Sequence, residues 1–229
     1  MKTLGKLKLL TVSAFIVLGM SSCLKTENKF AIGAFNAYIL QEGVGESARF
    51  KPEIQIQGNE PIKSAYATYK GDKYLFSALS GTNNYYMEFD PYMGAKYVDS
   101  IPIGTYAITA TNADSKVAVT QVTFAGSKRL GNLDVTEFKY TGSTNLFSVK
   151  FNKVENASNY YIVYKASNSN AWQSLGRLST VSGENELLSA NLTVNLGEQT
   201  FKVAVGVICE SLLKVGPTLT VTGGKDASL

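Results

Sequence analysis

The sequence predicts an all-β protein built as two tandem β-sandwiches. Composition is the first reason: 13 Tyr and 11 Phe, with abundant Val, Thr and Ser and a single Trp, suit strands. Patterning is the second, because apolar residues recur at every second position in short runs bounded by Gly, Pro, Asn and Asp. The third is that no segment of ten or more residues beyond the leader carries a helical stripe. At 45% hydrophobic the chain is globular, and its length suffices for two cores.

Residues 1–22 read as a leader. Lys2, Lys6 and Lys8 supply a charged start, and Leu9 to Met20 an apolar run of 12 that is too short to span a bilayer. Met20-Ser21-Ser22-Cys23 then sets small residues before a cysteine and resembles the lipobox of bacterial lipoproteins. The resemblance implies cleavage before Cys23, lipidation of Cys23 and anchoring to the outer membrane in the cell envelope, on its periplasmic or surface face. Residues 23–29 would be a polar tether; it holds Lys25 and Glu27 but no acidic run. Losing three lysines with the leader takes Lys+Arg from 22 to 19, against 18 Asp+Glu. A near-neutral chain with scattered basic residues predicts no nucleic-acid partner. Lipidation consumes one of the two cysteines, so Cys209, inside the apolar run Val203–Cys209, is expected to be a buried small hydrophobe.

Residues 30–125 read as the first sandwich. Phe50, Pro52, Ile54 and Ile56 share a face, and Gly58-Asn59-Glu60-Pro61 ends that strand. Lys70-Gly71-Asp72 predicts a hairpin turn between two further strands. Tyr106, Ile108 and Ala110 alternate, and Asn112 to Ser115 turns the chain into Val117–Phe124. There the apolar phase moves from Val117 and Val119 to Val122 and Phe124, which predicts a bulge near Thr120-Gln121. Ile101-Pro-Ile-Gly-Thr-Tyr106 resembles a corner of bacterial immunoglobulin-like domains.

After a linker at 126–132, residues 133–224 resemble a fibronectin type III domain. Leu146–Phe151 matches its second strand, with Phe151 where the family has a core Trp. Tyr160-x-Ile162-x-Tyr164 matches the third, and Leu196 with Thr200-Phe201-x-Val203-x-Val205 the sixth. Phe201 replaces the family's tyrosine, so the hydroxyl that caps the corner is missing. Gly216-Pro217 to Thr222 is the expected last strand.

No histidine occurs, which removes Ser-His-Asp and Cys-His catalysis and the commonest zinc and copper ligand. No phosphate-binding glycine loop is present; Gly43-Val-Gly45 reads as a turn. Carboxylate-pair hydrolysis needs two converging acids. Glu88, Asp90 and Asp99 are near in sequence, but acids on a strand face are expected in solvent. Asn112 to Ser115 and Asp90 to Gly94 are too sparse in oxygen ligands for calcium. The reading is therefore not an enzyme, with no catalytic residues, no metal and no cofactor.

The remaining lead is aromatic. Tyr85, Tyr86, Phe89, Tyr92 and Tyr97 fall within 13 residues, after the polar turn Gly81–Asn84. One of the Tyr85/Tyr86 pair must face outward in an extended strand. Exposed tyrosines beside Asn and Asp suit a sugar, whose apolar ring face packs on the aromatic ring while amides and carboxylates take its hydroxyls. The same rings could instead cover a strand edge or fill the junction between the sandwiches. Trp172, in the hairpin after Tyr164, carries the same pair of readings. Tyr85, Tyr86, Tyr92, Tyr97 and Trp172 are the candidate ligand-binding residues, and the expected role is a lipid-anchored binding or adhesion module for a glycan or an envelope protein. The alternative is a structural or accessory subunit of a surface fibre. Two-sandwich lipoproteins resemble the pilins of some anaerobic Gram-negative bacteria, which are cut after an arginine downstream of the lipidated cysteine; Arg49 is placed for such a cut.

Overall fold

The computed structural model describes residues 29–178 and 187–229; the leader, Cys23 and residues 24–28 of the tether lie outside them. The described residues form 15 strands. The first half supplies β1 (Ile32–Glu42), β2 (Arg49–Gly58), β3 (Ile62–Tyr69), β4 (Asp72–Ala78), β5 (Tyr86–Phe89), β6 (Gly104–Asn112) and β7 (Val117–Phe124). The second supplies β8 (Val135–Thr141), β9 (Leu146–Asn152), β10 (Asn159–Lys165), β11 (Gln173–Arg177), β12 (Leu187–Thr193), β13 (Thr200–Cys209), β14 (Leu212–Thr222) and β15 (Ala227–Ser228). The fold is all-β, two sheets packed as an open sandwich.

The two halves share a sheet. Eleven strands run in the order β11-β10-β13-β14-β1-β2-β5-β4-β3-β6-β7, and β12-β9-β8-β15 form a second sheet. Strand β1 is the seam: it pairs antiparallel with β2 and parallel with β14, Ile39 opposite Leu212 and Gln41 opposite Lys214. In the second half the small sheet packs Phe138, Tyr140, Phe147, Val149 and Phe151 against Ile162, Val203, Val205, Val207 and Val221, all buried. In the first half β7 comes back alongside β1, enclosing Phe50, Ile54, Ile56, Phe76, Phe89, Tyr106, Ile108 and Phe124. Each such side chain contributes roughly 1.5–3 kcal/mol on burial. Tyr69 stacks on Tyr106 with ring centroids 4.2 Å apart. Cys209 is buried within the same apolar interior.

The alternation that predicted the strands is visible in their burial. Phe50, Pro52, Ile54 and Ile56 all point inward, as do Tyr106, Ile108 and Ala110. The β3–β4 turn has two residues, Lys70 and Gly71, with φ of 50° and 88°; Gly71 supplies the left-handed backbone that such a hairpin turn requires. Strand β7 differs from expectation. Its pairing with β6 runs unbroken from Gly104–Phe124 to Thr111–Val117, without a bulge at Thr120-Gln121. The inward residue at the β7 start is the small Ala118, so the phase never shifts. Val117 and Val119 simply lie outside, 63% and 73% exposed.

The shared sheet also has a small core on its other face. Tyr38 from β1, Tyr161 and Val163 from β10, Ala204 and Ile208 from β13 and Leu213 from β14 pack there beneath Trp172. Central strands are thus buried on both faces, which alternation alone does not announce.

Candidate functional site

The loop joining β10 to β11, residues 166–172, folds over the outer face of β1, β2 and β5, and side chains of the first half hold it there. Asn168 Nδ2 donates to the Ser80 carbonyl at 2.7 Å. Glu88 is the hub. Its Oε2 accepts from Ser169 Oγ at 2.7 Å and Gln55 Nε2 at 3.0 Å; its Oε1 accepts from the Asn170 amide at 2.8 Å and Asn170 Nδ2 at 3.2 Å. The Trp172 peptide is tied at both ends: its N–H donates to Tyr38 Oη, and its carbonyl accepts from Asn36 Nδ2 at 2.9 Å. Glu88 is only 3% exposed, so it is not the solvated acid that its strand position suggested. The cover comes from a loop some 80 residues away in sequence, beyond the reach of local pattern. Asp90 is half-buried, and its Oδ1 accepts the Tyr92 and Met93 amides at 2.8 Å each, closing a turn.

Beside this clasp lies a cleft of about 490 Å³. Its floor is the outer face of the sheet, with Leu40 and Glu42 from β1 and Lys51 and Glu53 from β2. Pro91 and Tyr97 form one wall, and Lys165, Asn170 and Trp172 the other; Lys214, Val215 and Gly216 close the end.

Charge is buried in this cleft at a cost. Glu53 is 5% exposed; desolvation pushes its carboxyl above the usual range, and Lys51, 2.7 Å away, offsets part of that. Burial likewise pushes the ammonium groups of Lys165 and Lys214 down. Lys214 donates to the Gly43 carbonyl at 2.7 Å. Lys165 sits 5.0 Å from the Trp172 ring centroid, and among the described residues no carboxylate lies within ion-pair distance of it. The Tyr97 hydroxyl donates to Glu42, and burial with that contact pushes its pKa up. Donors, acceptors and aromatic side chains of both halves therefore converge on one space.

Of the sequence-derived candidates, the cleft brings together Tyr97 and Trp172. Trp172 is mostly covered, 7% exposed. Tyr92, 82% exposed, stands next to the wall residue Pro91. Tyr85 and Tyr86 lie elsewhere, at the opposite end of β1. Cys23 is outside the described residues. Sequence reasoning missed Lys51, Glu53, Lys165 and Asn170; the one available signal was Lys51-x-Glu53-x-Gln55, a polar face on a strand whose other face is wholly apolar. Among the described residues no group of three His, Cys, Asp or Glu side chains could hold a metal ion.

The chain matches no known family model and no curated protein by sequence. Solved structures with similar arrangements include the tandem Ig repeats of Dlar, at TM-score 0.34 and 13% identity over 84% of this chain and 97% of that one. Tp47, the 47-kilodalton lipoprotein of Treponema pallidum, gives TM-score 0.34 and 12% identity over 85% of this chain, which spans 52% of that protein. The titin domains z1z2, solved in complex with telethonin, give TM-score 0.25 and 13% identity over 84% and 95%. No residue role carries over from likenesses this distant.

Proposed function

We propose that the chain is a non-catalytic, lipid-anchored envelope protein whose two sandwiches clasp a glycan-binding cleft. The observation that carries this is the cleft itself. Glu53, Lys165 and Lys214 line it with Tyr97, Asn170 and Trp172, in surroundings that disfavour their charged forms, and polar groups so gathered in a cleft support a ligand site. Carboxylate, ammonium, amide and phenol groups beside aromatic side chains suit the hydroxyls and the apolar ring of a sugar. The strand order β12-β9-β8 against β11-β10-β13-β14 supports a fibronectin type III-like second half, residues 133–224, after an immunoglobulin-like first half, residues 30–125. A glycan-array screen of residues 24–229, beside Tyr97→Ala and Lys165→Ala, tests the reading. Hits lost in variants that still melt cooperatively support it; hits kept in both variants, or no hits for any protein, refute it.

The position of β1 favours a second reading, the fibre subunit. Cutting after Arg49 would separate β1, which lies between β14 and β2, from the rest of the chain. Its departure would leave two open strand edges for a donor strand. A mature mass corresponding to a chain starting at Phe50 favours this; a lipidated chain starting at Cys23 rules it out.

A further inference from the structure

The end of the molecule nearest the anchor is fixed by Asn59. Its Nδ2 donates to the Lys29 carbonyl at 2.9 Å, and its Oδ1 accepts the Ala31 amide at 2.8 Å. Cys23 is six residues upstream of Lys29. A connection of that length spans at most about 20 Å.

Strand pairing puts three aromatic residues at this same end. Ile32 pairs with Gly58, whose amide donates to the Tyr85 carbonyl at 2.9 Å, so Tyr85 shares the row in which β1 begins. Tyr86 shares the next row, through Gln57 to Gly33. Phe35 follows at the β1 bulge between Ala34 and Asn36, and its ring meets Tyr86 edge-on at 5.5 Å. Phe35 is 43% exposed, Tyr85 37%, and Tyr86 half-buried. All three lie within about 10 Å of the β1 start at strand rise.

We propose that Phe35, Tyr85 and Tyr86 form a membrane-contact patch, seated in the headgroup region of the bilayer that carries the Cys23 lipid. The proposal rests on the lipid-anchor reading above. Tyrosine, with an apolar ring and a polar hydroxyl, favours the boundary between hydrocarbon and water, and phenylalanine adds apolar area there. Charges near this end are of mixed sign: Lys116 lies 3.7 Å from Glu60 and 3.9 Å from Asp114. The contact is therefore apolar in kind, and depends little on anionic lipid or salt. It also orients the cleft. Glu42, on the cleft floor, is seven residues along β1 from Phe35, which carries the cleft roughly 20 Å further from the bilayer.

The test is hydroxyl-radical footprinting of the full lipidated protein in phosphatidylcholine vesicles, against a Cys23→Ser form free in solution. Mass spectrometry reads the N-terminal peptide and the aromatic peptides together, with exposed Tyr92 as internal reference. The expected result is a several-fold fall in modification at Phe35, Tyr85 and Tyr86 with Tyr92 unchanged, and the same fall when phosphatidylglycerol is added. A lipidated Cys23 with no protection, or with equal protection at Tyr92, overturns the patch alone. An unmodified Cys23 overturns the anchor and the patch together. A Phe35→Ser/Tyr85→Ser/Tyr86→Ser variant that stays folded is expected to leave Ile32, the partly exposed residue at the start of β1, unprotected on vesicles; protection equal to the parent's also overturns the patch.

Discussion

Replacing Glu88 with alanine removes the acceptor for four hydrogen bonds at once, from Gln55 Nε2, Ser169 Oγ, the Asn170 amide and Asn170 Nδ2. Leaving these donors without their acceptor costs about 3–5 kcal/mol, less than the sum of four separate unmet bonds because water and neighbouring groups rearrange. For a chain of this size each kcal/mol shifts Tm by about 2–4 °C, so Glu88→Ala is expected to melt roughly 6–20 °C lower. Glu88→Gln keeps the shape and can still accept both Asn170 donors. Its new amide takes the place of the oxygen that accepts from Ser169 Oγ and Gln55 Nε2, and Ser169 Oγ already accepts from Gln55 Nε2 and the Ala171 amide, so both bonds are lost and the variant should lose about 2–3 kcal/mol. Trp172 is the single tryptophan and sits three residues beyond Ser169, which makes its emission a local probe of the clasp. Circular dichroism gives the Tm, and Trp172 fluorescence in urea gives loop release. Glu88→Ala should shift the Trp172 emission to the red before the sheets unfold. A double-mutant cycle with Ser169→Ala should be strongly non-additive, because both variants break the same bond. An unchanged Tm with an unshifted emission maximum would refute the clasp, as would additive losses.

Tyr38→Phe strips the acceptor from the buried Trp172 N–H and should cost about 1–3 kcal/mol, read as a lower urea midpoint. Glu53→Gln tests whether the cleft carboxylate is held against stability. A carboxyl whose folded pKa is raised favours the fold below the ordinary carboxylate range and loses that contribution as pH rises through the raised value. The variant should therefore be as stable as the parent or more so at neutral pH, relative to its standing at acid pH, and a large loss at neutral pH would contradict this. Gly206→Ala places a Cβ 2.7 Å from Val163 Cγ1 and 3.2 Å from Leu213 Cδ1. Overpacking at this central position should cost about 1–3 kcal/mol in thermal melts.

Sequence pattern conveyed the strands because period-2 alternation is local: Tyr106, Ile108 and Ala110 reveal their inward face without reference to the rest of the chain. The turn at Lys70-Gly71 was readable for the same reason. Val117 and Val119 misled, since valine serves an exposed strand face as readily as a buried one when the opposite position is the small Ala118. Glu88 and Glu53 were opaque because their cover is tertiary. One lies under Ser169 and Asn170, the other on a cleft floor whose wall is Trp172. The parallel seam between β1 and β14 joins segments about 170 residues apart, and no turn between them signals it. Tyr97 and Trp172 were identified by residue type, whereas their meeting in one cleft follows from that seam and the clasp.

Trp172 also offers the most direct measurement of the central claim, since it lines the cleft and no other tryptophan obscures it. Purified protein is titrated with neutral and uronate-containing oligosaccharides while Trp172 emission is followed, beside Lys165→Ala and Tyr97→Ala. The account predicts a saturable change in emission that is weakened or lost in both variants. Sugar binding that leaves Trp172 unmoved and survives both substitutions would contradict it.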